Sequence, residues 1–232
     1  MSVGTVYLFD IDGTLITSGG AGRRAMRSAF KQLHGARGPA ALDFAFAGMT
    51  DRAIVRTALV ALDTSADDDA IDRALDAYLA HLADELERTE GYQVLPGVLA
   101  VLEWLASRAS TGEPIAVGLG TGNVKKGAYA KLARGALDGA FGFGGFGCDH
   151  EDRIELLRVG ATRGAAALGA SVVECRIVII GDTPKDVAAA RGIRAECIGV
   201  GTGGFDPSAL IALGAVAAFA TLDADGVKEA LR

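Results

Sequence analysis

Short, continuously apolar runs alternate along this chain with longer segments whose apolar residues recur every three or four positions. The first run, Val3 to Phe9, is rich in β-branched and aromatic residues and ends at Asp10-Ile11-Asp12-Gly13-Thr14. It predicts a buried strand running into a sharp loop. Comparable runs stand at Ile115 to Leu119, Ile177 to Ile180 and Glu196 to Val200, with a weaker one at Ala215 to Ala220. Each is followed by Gly, Asp or Thr. Strands that are apolar throughout and alternate with helices belong to parallel sheets covered on both faces. The expected fold class is therefore α/β, a Rossmann-like parallel-sheet core.

The interval from Thr17 to Leu95 interrupts this alternation, because it carries almost no strand signal. Gly22 to His34 and Asp51 to Leu62 read as helices. Asp67 to Thr89 is the clearest, with Ile71, Leu75, Tyr78, Leu79, Leu82 and Leu86 on one face. Asp67, Asp68 and Asp69 open it, where the helix dipole favours negative charge. Gly91 and Pro96-Gly97 mark the return to the α/β pattern. The expected division is residues 1–16 and 96–232 as the α/β core and residues 17–95 as an inserted helical domain. Phe141 to Gly147, where Gly and Phe alternate, reads as a small edge strand or a loop packed on the core.

Composition narrows the function classes. With 232 residues, half of them apolar and 22% charged, a soluble globular protein is expected. The formal net charge of −6 argues against non-specific nucleic-acid binding. It leaves a phosphate ligand open, since a bound cation can supply local positive charge. Cys148, Cys175 and Cys197 are an odd number without metal-ligand spacing, so free thiols and a cytoplasmic location are expected. No membrane role is expected, as no segment approaches a spanning length. A monomer and a homodimer are both open.

In parallel α/β sheets, ligands bind beyond the carboxyl ends of the strands. The first strand delivers Asp10 and Asp12 there. The second, in Val117-Gly118-Leu119-Gly120-Thr121-Gly122-Asn123, delivers Thr121; the third, in Ile179-Ile180-Gly181-Asp182-Thr183-Pro184-Lys185-Asp186, delivers Asp182 and Asp186. Four carboxylates at one edge repel one another, and a divalent cation is the natural remedy. A site built of oxygens suits Mg²⁺. A Ca²⁺ loop starting at Asp10 would need acids where Thr14 and Ala21 stand. The glycines around Thr121 lack dinucleotide-loop spacing.

Asp10-Ile11-Asp12-Gly13-Thr14-Leu15, Thr121 and Gly181-Asp182 with Asp186 resemble the motifs of the haloacid dehalogenase-like (HAD) hydrolases, in the family's order and along the whole chain. The insertion after the first motif resembles the helical cap of the phosphoglycolate phosphatase type. The resemblance implies that Asp10 is a nucleophile forming an aspartyl-phosphate. It implies that Asp12 is the general acid and base. Asp10, the backbone carbonyl of Asp12, Asp182 and Asp186 would hold Mg²⁺, Asp186 as a ligand or an orienting residue. Thr121, with Gly122 and Asn123 beside it, would hold the phosphoryl oxygens. The family's third motif is a Lys or Arg facing the phosphoryl group; Arg153 stands where it is expected, with Lys131 as the alternative. Gly48-Met49-Thr50-Asp51-Arg52 resembles the cap segment that approaches the site, which makes Arg52 a substrate-contact candidate. Arg23, Arg24 and Arg27 read as a solvated helix face.

The implied activity is hydrolysis of a small phosphate monoester such as phosphoglycolate, a sugar phosphate or a nucleotide. A phosphosugar mutase keeps the same two aspartates. A non-catalytic phosphate-ligand sensor would be expected to lose one of Asp10, Asp12 and Asp182. Asp12 speaks against carbon–halogen cleavage, and Lys31, the insertion's single lysine, lacks an activating partner for Schiff-base chemistry.

Overall fold

A computed structural model describes residues 4–232; Val3, the expected start of the first strand, lies outside them. The strands are β1 (Gly4–Phe9), β2 (Ile16–Ser18), β3 (Tyr92–Val94), β4 (Ile115–Thr121), β5 (Gly144–Phe146), β6 (Cys175–Gly181), β7 (Glu196–Val200) and β8 (Ala217–Phe219). The α-helices are α1 (Ala21–His34), α2 (Asp51–Ala61), α3 (Asp68–Arg88), α4 (Val98–Ser110), α5 (Lys125–Ala133), α6 (Arg153–Ala167), α7 (Pro184–Gly192), α8 (Pro207–Ala212) and α9 (Val227–Ala230). Six strands form one sheet in the order β5-β4-β1-β6-β7-β8, every pairing parallel.

The strands are apolar on both sides because both faces are covered. Tyr7, Phe9, Val178 and Ile180 point to one face, where Val101 and Leu105 of α4 and Leu132 of α5 pack. Val6, Leu8, Ile177 and Ile179 point to the other, against Leu156 and Leu157 of α6, Val187 of α7 and Leu210 of α8. The period-two alternation of a strand divides them. The Gly/Phe segment forms the edge strand β5 beside β4.

The interval between the first two long strands contains α1, α2 and α3, with Met26, Phe30, Val55, Ile71, Tyr78 and Leu82 in a third buried cluster. Each helix start has a local cause where a cap is present. Thr50 Oγ1 accepts from the N–H of Ala53 at 3.2 Å and Asp67 from that of Ala70 at 2.8 Å. The expectation that this interval is almost free of strand is corrected at its two ends. Ile16–Ser18 pairs antiparallel with Tyr92–Val94, so the two chain crossings form a ribbon. Three residues are too few for an apolar alternation to register.

Candidate active site

β1 lies between β4 and β6, with Phe9 opposite both Leu119 and Ile180. The loops after these three strands therefore open at one edge, where strand order reverses around β1. This register delivers Asp10, Thr121 and Asp182 to one cavity of about 350 Å³, also lined by Asp12, Asn123, Lys131 and Arg153. The first loop turns at Gly13, whose φ of +87° disfavours other residues and whose missing Cβ leaves room for the Asp182 carboxylate.

Two buried cations divide the floor. Arg153 opens α6, which Asp152 caps by accepting from the Ile154 N–H at 2.7 Å. Its guanidinium lies 2.7 Å from Asp10 Oδ2 and donates to Asp186 Oδ1. The Nε–H of Arg153 is buried and meets no acceptor among the described residues. Asp186 Oδ2 accepts from the backbone N–H and hydroxyl of Thr183, at 3.0 and 2.7 Å, which caps α7. Both oxygens of Asp186 are thus engaged, one by the helix start and one by Arg153.

Lys131, on α5, donates at 2.6 Å to both Asp12 Oδ2 and Asn123 Oδ1. The Asn123 amide donates on to Asp12 Oδ2 and Thr121 Oγ1, both at 2.9 Å. Burial works against charge on Asp12, yet Lys131, Asn123 and Ser18 together hold its carboxyl below the ordinary aspartate value. Lys131 is likewise opposed by burial but held above its ordinary value by Asp12 and Asp51.

Asp10, Asp182 and Asp186 can each bring a carboxylate oxygen within 4.8 Å of the other two. Burial pushes Asp10 up to about 6, against the pull of Arg153, and Asp182 up to about 8, with Asp10 and Asp186 adding to the rise. Crowded hard oxygen donors with too little positive charge among them fit a small divalent cation such as Mg²⁺. The side chain of Asp12 is turned to Lys131 and is not in that group.

Sequence reasoning missed the helical wall. Asp51, 8% exposed, lines the cavity, and its carboxylate accepts from the Val124 N–H at 2.8 Å while its own N–H donates to the Gly122 carbonyl. Burial pushes Asp51 up to about 6, despite the charge of Lys131. Gly122 admits this segment because a Cβ there would stand 2.5 Å from the Met49 carbonyl oxygen. Arg52, the residue expected to reach substrate, is not brought to the cavity. It turns outward, pairs with Asp68 and Asp72, and lines a separate groove. A helix start sends consecutive residues to different faces, so one of Asp51 and Arg52 had to point away. Arg23, expected on a solvated face, lines the cavity instead.

A family model described as haloacid dehalogenase-like hydrolase matches residues 5–194, and a second, HAD-hydrolase-like, matches residues 160–229. No curated protein matches the chain. Among solved structures, a predicted phosphatase from Clostridium acetobutylicum superposes with a TM-score of 0.68 at 19% identity, covering 99% of each chain. A predicted phosphoglycolate phosphatase from Haemophilus somnus 129pt gives 0.67 at 15% identity, covering 100% of each. A candidate β-phosphoglucomutase from Bacteroides vulgatus gives 0.63 at 20% identity, covering 99% of this chain and 89% of that one. At these identities the likeness is one of fold.

Proposed function

This chain belongs to the haloacid dehalogenase-like hydrolases, and from that premise we propose that it is a Mg²⁺-dependent phosphatase of small phosphate monoesters. The observation that carries this reading is Asp10. It is buried at the floor of the cavity, paired with Arg153 and grouped with Asp182 and Asp186. A carboxylate so placed can attack phosphorus, and the aspartyl-phosphate it forms divides one hard displacement into two easier ones. Asp10 and Asp182 would hold Mg²⁺, with the Asp12 backbone carbonyl, and Asp186 would act chiefly by fixing Arg153. When bound, the ion would neutralise the phosphoryl oxygens and the carboxylates around them. Arg153 fills the third-motif role: its guanidinium lines the cavity beside Asp10, where an anionic phosphoryl oxygen would arrive. Thr121, with Gly122 and Asn123 beside it, holds the other phosphoryl oxygens.

Asp12 takes up a proton from solvent as the anionic ester binds, delivers it to the leaving oxygen and later takes one from the attacking water. Lys131, 2.6 Å away, keeps it ionised between these events and aims it together with Asn123. Residues 17–95 act as a cap over the core of residues 1–16 and 96–232, excluding bulk water. The cavity of about 350 Å³ favours a small phosphorylated metabolite over a phosphoprotein.

Phosphate release from a panel of small esters, with and without Mg²⁺, tests this reading. Mg²⁺-dependent turnover is expected in the wild type, with a fall of at least about 10³-fold in Asp10→Asn. Retention of a phosphorylated enzyme, activated by a sugar bisphosphate, would identify a mutase instead. Folded, Mg²⁺-binding protein without turnover on any ester would refute the phosphatase reading.

A further inference from the structure

The roof of the cavity is chemically unlike its floor. Met26, Phe46, Met49 and Ile54 give it apolar surface, and one cation stands among them, Arg23. Its guanidinium lies 4.1 Å from the centre of the Phe46 ring and donates to the carbonyls of Leu42, at 3.0 Å, and Phe44. These contacts hold it in place without neutralising it, for it pairs with no carboxylate among the described residues. Its neighbours Arg24 and Arg27 do pair, with Glu85 and Asp43. A fixed, uncompensated charge beside apolar walls acts more strongly than one in water.

Two further groups face the same space. α1 starts after Gly20 with no side-chain cap, and Gly20, Gly22 and Arg23 line the cavity, so the first turn, whose N–H groups have no partner within the helix, stands at its wall. Tyr78, only 1% exposed, also lines the cavity. Its hydroxyl lies 3.7 Å from where a Cβ on Gly22 would sit and forms no hydrogen bond among the described residues. As part of the cavity lining, the hydroxyl is a donor available to a ligand there. Asp51, the one carboxylate of the roof, is drawn toward the floor by the Val124 N–H and faces the charge of Lys131.

We propose that the roof is a second anion subsite, in which Arg23, the first turn of α1 and the Tyr78 hydroxyl bind a carboxylate or phosphate on the leaving group of the ester. The substrate class is then a phosphate monoester with a second anionic group, held at both ends. This rests on the phosphatase reading for the identity of the first group and narrows it, selecting anionic tails over neutral polyols.

Three matched esters separate the possibilities: 2-phosphoglycolate with a carboxylate tail, ethane-1,2-diyl bisphosphate with a phosphate tail, and 2-hydroxyethyl phosphate with a neutral one. The wild type is expected to show a kcat/KM higher by about 10- to 100-fold for at least one anionic ester than for the neutral one. Whichever anionic ester leads identifies the tail. Arg23→Gln removes most of that preference, Arg23→Lys retains part of it, and Tyr78→Phe weakens it by about 3- to 10-fold. Equal losses on all three esters, or a wild-type preference for the neutral ester, would overturn the subsite. Calorimetric binding of the same esters to Asp10→Asn, with and without Arg23→Gln, separates this result from the chemistry. An Arg23-dependent preference in binding, with no turnover of these esters or of any in the wider panel by the wild type, sustains the subsite and refutes the phosphatase. Turnover without any preference does the reverse.

Discussion

Floor and roof of the cavity solve the problem of buried charge in opposite ways. On the floor, Asp10, Asp12, Asp182 and Asp186 are gathered against two cations, Arg153 and Lys131, and every one of these side chains comes from the α/β core or its first loop. On the roof, charge is sparse: Arg23 rests on carbonyls and a ring, and Asp51 on one backbone N–H. The floor has surplus negative charge and depends on cations for its integrity. The roof has spare donors. The proposed chemistry thus stands at the strand ends of the core, and the proposed selection of a leaving group on the helical unit.

The contrast is tested most severely by removing the cation between Asp10 and Asp186. Arg153→Met leaves these two buried carboxylates facing Asp182 without compensation, so the loss in stability without Mg²⁺ is expected to be about 3–5 kcal/mol. Added Mg²⁺ should restore part of it, because the ion supplies charge to the same oxygens. Urea unfolding with and without Mg²⁺ measures both quantities. Equal stability of variant and wild type would mean that the floor does not depend on Arg153 for charge balance.

Lys131→Met should cost less in stability, since Asp12 keeps the Asn123 amide and the Ser18 hydroxyl as donors at 2.9 and 3.3 Å. Its expected mark is kinetic: kcat lower by about 10²-fold and the pH limb set by Asp12 moved to higher pH. The direction follows from the resting state, in which Lys131 is the leading influence holding Asp12 low against burial. An unshifted pH profile would separate Lys131 from the proton-transferring group.

Most of the floor was legible in the sequence because its residues are set by local rules. A buried strand must end, and the acids at Asp10, Asp12 and Asp182 follow the ends of β1 and β6 directly. Arg153 was given as the third-motif cation with Lys131 as the alternative, and both line the cavity, whereas Asp186 could be given only as ligand or orienting residue. The roof was not legible, because a helix face becomes a cavity wall only when the helical unit docks. Nothing within Ala21 to Arg27 marks Arg23 as different from Arg24; the difference lies in Leu42, Phe44 and Phe46, about 20 positions on. For Asp51 a signal existed. Thr50 already supplies the helix cap, so an adjacent acid was free to do something else.

Asp51 gives the roof a pH dependence of its own. Its pKa in the folded protein is pushed up to about 6 from an ordinary 3.8, so the folded state holds a proton that the unfolded state releases between those values. Stability from this group is therefore full below about pH 4 and is lost as pH rises to about 6. Asp51→Asn keeps an oxygen for the Val124 N–H and removes the charge. The variant should be more stable than wild type by about 2 kcal/mol at pH 7, with the gap closing toward pH 4. Thermal unfolding across that range checks the sign, and a gap that widens on acidification would contradict it.

The smallest effect is expected where the helical unit turns its back on the cavity. Arg52 pairs with Asp68 and Asp72, whose side chains are 77% and 62% exposed, so water already screens most of the interaction. Arg52→Ala should cost less than about 1 kcal/mol and leave kcat/KM within about twofold for any ester the enzyme accepts. The comparison with Arg23 makes this informative. Both arginines are on helices of the same unit, and they differ in that one lines the cavity without a carboxylate and the other is outside it with two. If Arg52→Ala lowered kcat/KM by tenfold or more while Arg23→Gln did not, the roof would have to reorganise during turnover, bringing the outer face of α2 to the substrate. Similar stability in both variants, with activity lost in Arg23→Gln alone, would fix the arrangement seen here as the one that binds.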